Sequence, residues 1–269
     1  MMESLSSGIQ YRHWPVQDAK ACILLLHGLA EHTGRYERLA AYFNARQIAV
    51  VGPDHIGHGA SPGTRAYVAQ FSEYLAPLVE LRAAISGWYP DTPTFMLGHS
   101  MGGLIAAHLL LQDAQSYRGA MLSAPAFAAD EAVSPVTLWV GRLLRAILPK
   151  IGMMSLTANQ ISRDPAVVAD YVADPLVYNG KITAALGMEI LSAMEQAIAG
   201  AQHITLPVYI AHGEADVMAT PEGSRAFFQA LASQDKTLDW WPELYHEIFN
   251  EPESEAVMAR FAGWLEAHL

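Results

Sequence analysis

The chain has 269 residues, is 52% apolar, and carries 16 Lys and Arg against 27 Asp and Glu, for a net charge of −11. That composition fits one large α/β domain, or one carrying an insertion, with ample core and little tendency to disorder. The acidic balance argues against a nucleic-acid partner and against a polybasic membrane anchor, though not against a membrane encounter driven by apolar surface.

In chain order, short apolar runs alternate with longer helical patterns. "ACILLLHG" (21–28), "IAVVGPD" (48–54), "TFMLGHS" (94–100), "GAMLSAP" (119–125), "PVYIAHG" (207–213) and "TLDWWPE" (237–243) read as strands. They lack clean period-two alternation, as expected of parallel strands covered on both faces. Helical patterns fall at 36–46, 67–87, 101–115, 221–233 and 252–268. This repetition predicts an α/β fold with a mostly parallel, doubly wound sheet, whose ligands gather at the carboxyl ends of the strands.

The alternation breaks between Phe127 and Gly200, where no convincing strand is visible. "SPVTLWVGRLLRAILPKIGMM" is amphipathic and apolar, "SRDPAVVADYVADPLVYNG" is broken by prolines, and "ITAALGMEILSAMEQAIAG" is helical. So long a stretch is not a loop. The expected organisation is a core of 1–126 and 201–269 with a helical cap (lid) at 127–200. The alternative is that these helices join the sheet's outer layer. No internal repeat is visible.

The single cysteine, Cys22, sits in an apolar run and reads as a buried structural thiol, with no disulfide or cysteine-based metal framework possible. "MMESLSSGIQYRHWP" lacks the pattern of a secretory signal, and no apolar window has the length of a membrane span. A reducing, cytoplasmic setting is the expectation.

Gly98-His99-Ser100-Met101-Gly102 matches G-x-S-x-G between a strand and a helix pattern. In that setting the serine takes a strained turn and projects above the sheet, and flanking glycines avoid collisions with neighbouring backbone. A serine hydroxyl needs a base, and the base needs an orienting acid, in the chain order Ser, Asp or Glu, His. Four histidines follow the insertion. His268 is penultimate, His203 precedes a strand at the wrong edge, and His212 closes a strand as part of a packed turn. His246, directly after the last strand, is the candidate base. In "AHGEADVMATPEG", Asp216 sits deeper in the turn than Glu214 and is the candidate acid.

Acyl transfer also needs donors aimed at the developing oxyanion. The backbone N–H of Met101, at the start of a helix, is one candidate. Leu29, in the early loop "HGLAEHTGRY", supplies the second. His27, His32, His55, His58 and His99 lack the spacing of a zinc site and read as hydrogen-bonded loop residues, so no metal is expected. Asp54 in "GPDHIGHGAS" reads as a scaffold acceptor of backbone N–H groups.

With these pieces in place, the chain resembles the monoacylglycerol lipase family of serine hydrolases. The resemblance rests on "HGLAEHTGRY", "DHIGHGAS", "GHSMGG", "SRDPAVVADYVADPLVY", "HGEADVM" and "SQDKTL…YHEIFNE", in the family's order along nearly the whole chain. It implies the α/β-hydrolase fold, a triad of Ser100, Asp216 and His246, oxyanion amides at Leu29 and Met101, a helical cap, and a reaction without a cofactor. It also implies that Glu31 and Arg35 contact a glycerol headgroup, the alternative being a loop-holding ion pair. Some members carry a second histidine three residues beyond the catalytic one, where this chain has Phe249.

The expected activity is release of a fatty acid from a monoacylglycerol-type lipid ester, with "TLWVGRLLRAIL" as tunnel wall and shallow membrane contact, or as ordinary cap packing. A lysophospholipase or broad carboxylesterase would use the same machinery. A serine aminopeptidase would need cap acids; the cap contains Asp164, Asp170 and Asp174, but each reads as a helix-start or turn residue next to proline or alanine. A non-catalytic binding module is the reading from another class.

Overall fold

The computed structural model describes residues 2–128 and 135–269, and the side chains of 135–139 lie outside that description. Its centre is an eight-stranded sheet. The strands are β1 (Met2–Ser4), β2 (Gln10–Trp14), β3 (Ala21–Leu26), β4 (Ile48–Pro53), β5 (Thr94–His99), β6 (Gly119–Ser123), β9 (Val208–Gly213) and β10 (Lys236–Trp241). They lie in the order β1-β2-β4-β3-β5-β6-β9-β10. The pairs β1–β2 and β2–β4 are antiparallel, and every later pair is parallel. The short β7 (Gly152–Ser155) and β8 (Lys181–Thr183) pair separately, antiparallel.

The five strands β3, β4, β5, β6 and β9 are buried at every position, which is why their sequences show no alternation. Alternate side chains nevertheless enter different cores. Cys22, Leu24 and Leu26 join the cluster on one face of the sheet, and Ile23 and Leu25 the cluster on the other. Helices α2 (Ala76–Trp88), α3 (Met101–Asp113) and α7 (Pro221–Ala230) contribute to the first cluster. The second face is covered by α1 (Glu37–Asn44) and α8 (Ser254–Glu266).

Between β6 and β9 run α4 (Pro135–Ile147), β7, α5 (Pro165–Ala173), β8 and α6 (Ala184–Gly200). Two short strands therefore lie where none was expected. Strand β7 has four residues and is mostly exposed, β8 has three with Ile182 and Thr183 buried, and both are too short for a hydrophobic period to register. Helix α6 starts on a Thr183 cap, whose Oγ accepts the Leu186 N–H while donating to the Ala66 carbonyl. It then buries Leu186, Ala193, Met194 and Ala197 in the same cluster as α3. The expected helix at 67–87 begins later, at Ala76, after a 3-10 turn over Phe71–Tyr74.

Candidate active site

Ser100 occupies the turn between β5 and α3 with φ 53° and ψ −120°. A non-glycine residue held there stores roughly 1–3 kcal/mol of strain and persists only where its surroundings fix it. They do so here. The Ser100 N–H donates to the Ser123 carbonyl at 3.0 Å, and the Ser100 carbonyl accepts from Gly103, Leu104 and Ala126. The glycines are required by contact. A Cβ on Gly98 would lie 2.5 Å from the Gly102 carbonyl oxygen, and one on Gly102 would lie 2.0 Å from that of Leu26.

Asp216 lies on the loop after β9, and His246 on the loop after β10. The His246 Nδ1–H donates to Asp216 Oδ2 at 2.7 Å. Because an ionised carboxylate only accepts, the proton sits on Nδ1, leaving Nε2 free to act as a base. Asp216 Oδ1 accepts the N–H groups of Met218 and Ala219 at 2.8 and 3.1 Å, which fixes the carboxylate. His212 completes the arrangement. Its Nε2–H is shared between Asp216 Oδ2 at 3.1 Å and the Ala219 carbonyl at 2.8 Å, while its Nδ1 accepts from Ser224 Oγ.

The electrostatics follow from this packing. Burial pushes the Asp216 carboxyl up, but the His246 charge and the hydrogen bonds from His212 and His246 outweigh it and hold the acid below the usual carboxylate range. For His246, burial works against protonation. The neighbouring Asp216 charge and hydrogen bond, with Glu247 and Glu31 behind, reverse that and raise its pKa. His99 packs beside it, with ring centroids 4.8 Å apart, and donates from Nδ1 to the Ser123 carbonyl. Burial foremost, then the His246 charge, lowers the His99 pKa to about 3, so this ring stays neutral.

Ser100 and His246 open on one cavity of about 280 Å³. Leu29 and Met101 line it too, and among the described residues neither backbone N–H has a hydrogen-bond acceptor. Most of the remaining wall is apolar and comes from the inserted segment, including Met153, Met154, Met188, Ile190 and Met194.

Glu31 and Arg35 are engaged with their own loop. Glu31 Oε1 accepts the Gly28 N–H and the Tyr36 hydroxyl, both at 2.6 Å, and Oε2 pairs with Arg35 at 2.7 Å. Arg35 also grips Glu247 with two hydrogen bonds of 2.6 and 2.7 Å. Glu31 and Glu247 line the cavity, whereas Arg35 stands behind them. Two buried carboxylates thus share one guanidinium. Burial raises the Glu31 pKa despite Arg35, while the bidentate Arg35 contact overcomes burial at Glu247 and lowers its pKa.

Sequence reasoning did not single out Glu247. Its one signal there is adjacency to His246, and its partner Arg35 lies 212 positions away. Phe249 packs against Phe261 in the core and is not part of the cavity wall. The scaffold reading of Asp54 holds, since it accepts N–H groups from Thr33 and Ala60.

Residues 17–253 match the family described as serine aminopeptidase, S33. A monoacylglycerol lipase of Mycolicibacterium smegmatis is 37% identical over 97% of this chain and 94% of its own. A monoglyceride lipase of Rattus norvegicus is 31% identical over 94% of this chain and 85% of its own. The crystal structure of Paleococcus ferrophilus monoacylglycerol lipase superposes with a TM-score of 0.89 at 30% identity, covering 97% of this chain and 99% of that one. With residues 17–253 matched to the family and a 37%-identical relative covered over most of both chains, the chain belongs to the serine aminopeptidase S33 family and is a monoacylglycerol lipase-like α/β hydrolase.

Proposed function

We propose that this protein is a serine ester hydrolase that releases a fatty acid from a monoacylglycerol-type lipid. The observation that carries the reading is a strained Ser100 opening, together with an Asp216-oriented His246, on an apolar cavity. The names of the similar lipases support the same substrate class.

In this reading Ser100 attacks the ester carbonyl as His246 Nε2 takes its proton, and the N–H groups of Leu29 and Met101 hold the oxyanion. His246 then protonates the departing alcohol. Water, activated by the same imidazole, releases the acid from the acyl-enzyme. Asp216 keeps His246 in the productive tautomer, and His212 steadies Asp216. Glu31 faces the leaving alcohol, with Arg35 holding it and Glu247 in place. Residues 127–200 act as the cap that supplies the acyl wall.

An aminopeptidase would need acids of the cap facing the cavity, and no cap acid among the described residues lines it. Glu31 and Glu247, the carboxylates that do, belong to the core and are paired with Arg35. Asp164 caps α5 through the Ala166 N–H, Asp174 pairs with His32, and Asp170 is exposed. The cap also suits transient contact with a lipid surface. Seven of the eleven exposed large apolar side chains among the described residues, from Leu143 to Val172, lie on it. In "TLWVGRLLRAIL", the Thr137, Leu138 and Trp139 side chains lie outside the described residues. No helix among the described residues is long and apolar enough to cross a membrane.

The test is hydrolysis of a panel of monoacylglycerols, diacylglycerols, lysophospholipids, short esters and aminoacyl amides, alongside Ser100→Ala. The reading predicts preference for monoacylglycerols and loss of all activity in the variant. Preference for lysophospholipids or amides would replace the substrate class.

A further inference from the structure

Three contacts tie the segment from Tyr171 to Tyr178, in the insertion, to the loop that carries Leu29. The Tyr178 N–H donates to the Ala30 carbonyl at 2.8 Å. His32 Nδ1 accepts the Gly34 N–H at 3.1 Å, which leaves the ring proton on Nε2, where it donates to Asp174 Oδ2 at 2.9 Å. The Arg35 guanidinium lies 4.6 Å over the Tyr171 ring. Asp174 is itself fixed, because its other oxygen accepts the Leu176 N–H at 2.8 Å.

What these contacts hold is a strained piece of backbone. Ala30, the residue after Leu29, sits at φ 68°, in the left-handed region that a side chain disfavours. Leu29 is bracketed. Before it, the Gly28 N–H is fixed by Glu31 at 2.6 Å; after it, Ala30 is fixed by Tyr178 and, two residues on, by the His32–Asp174 pair. The first tether belongs to the loop, and the second belongs to the insertion.

We infer that the segment 171–178 sets the aim of the Leu29 N–H, with Asp174 acting through His32 as a positioning residue for the oxyanion site. The inference rests on the assignment of Leu29 as an oxyanion donor. Its consequence is that the insertion does more than bind the acyl chain: turnover of an ester too short to reach the apolar wall depends on Asp174 as well.

The experiment compares Asp174→Ala, His32→Asn, the double variant of these two and, as a control, Asp164→Ala. In His32→Asn the new side chain keeps an oxygen two residues before Gly34 to accept its N–H, but is too short to reach Asp174. Asp164→Ala removes the cap of α5 in the same insertion and leaves the loop contacts intact. Each variant is assayed for kcat and KM on p-nitrophenyl butyrate and on monooleoylglycerol, and for inhibition by a trifluoromethyl ketone, whose tetrahedral adduct places an oxyanion between the same donors. The expected result is a loss of about tenfold in kcat on both esters in Asp174→Ala and His32→Asn, KM within about twofold, and a matching loss of ketone affinity. Asp164→Ala stays near wild type, and the double variant is no worse than either single. Full kcat in both single variants, or a loss confined to KM for the long ester, overturns the inference. Ser100→Ala in the same series separates the two readings. Activity retained there removes the ester-hydrolase reading itself, whereas an inactive Ser100→Ala beside a fully active Asp174→Ala removes only this inference.

Discussion

Arg35 and Glu247 form two parallel hydrogen bonds of 2.6 and 2.7 Å, joining the loop after β3 to the residue next to His246. Pairs of this fork-to-fork kind fix geometry as well as charge. Here the pair holds a second carboxylate close to the imidazole that must lose its proton before it can act as a base.

That placement has a kinetic consequence. Asp216, Glu247 and Glu31 all favour protonated His246, so the acid limb of the kcat/KM profile lies above the ordinary imidazole value. Removing the Glu247 charge weakens that effect and leaves more of the Arg35 charge unbalanced, and both changes favour the neutral ring. In Glu247→Gln the acid limb therefore moves to lower pH. An unmoved or raised limb, measured on a soluble short ester, would show that Glu247 does not reach His246 electrostatically.

Six other histidines have pKa values lowered by burial, and the four most deeply buried, His27, His55, His58 and His99, dominate the acid stability. Burial is the first cause at each: it holds His27 and His55 well below the ordinary value, His58 at about 4 and His99 at about 3. Folded values lie below unfolded ones, so the unfolded chain binds more protons once the pH drops under about 6.5, and stability falls from there toward the folded values. Each such proton costs about 1.4 kcal/mol per pH unit, so between pH 6 and 5 the four together remove roughly 5 kcal/mol. His246, with its pKa raised, is protonated in both states over that interval and does not offset the loss. Thermal unfolding at pH 7, 6 and 5 is expected to show a steep fall in Tm. A flat Tm would mean that these rings take up protons while folded.

Much of this was legible in sequence because the informative residues sit in loops at the ends of strands, in a fixed order. Ser100 and Asp216 each follow an apolar run that reads as a buried strand, and His246 follows the half-buried last strand, so the order of the strands set the order of the candidate roles. The pieces that escaped lack such an anchor. Strand β2, "QYRHW", is polar and half-buried, so its antiparallel pairing with β4 leaves no apolar pattern. Strands β7 and β8 are too short to show a period. Glu31 and Arg35 allowed two readings from sequence because both are polar loop residues, and their partners Glu247 and Tyr171 become neighbours only through the fold. Asp174 read as a turn residue for the same reason, since nothing local points to His32.

The acyl wall can be probed from Gly187. This residue lines the cavity, and a Cβ built on it meets no atom within 4 Å. A side chain there starts into open space, and a bulky one would extend into the proposed acyl path. Gly187→Phe should lower kcat/KM for monooleoylglycerol by about tenfold or more, while butyrate esters stay within about twofold. Equal losses on both would place Gly187 away from the acyl path.

The central claim is that Ser100 is a nucleophile activated by His246. Its most direct measurement is covalent labelling of the folded protein by a fluorophosphonate, with the adduct located by peptide mass spectrometry. The account predicts a single adduct on Ser100, formed in step with loss of esterase activity, and labelling slower by roughly a hundredfold or more in His246→Ala. An unlabelled Ser100 in an active enzyme, or labelling that is indifferent to His246, would contradict it.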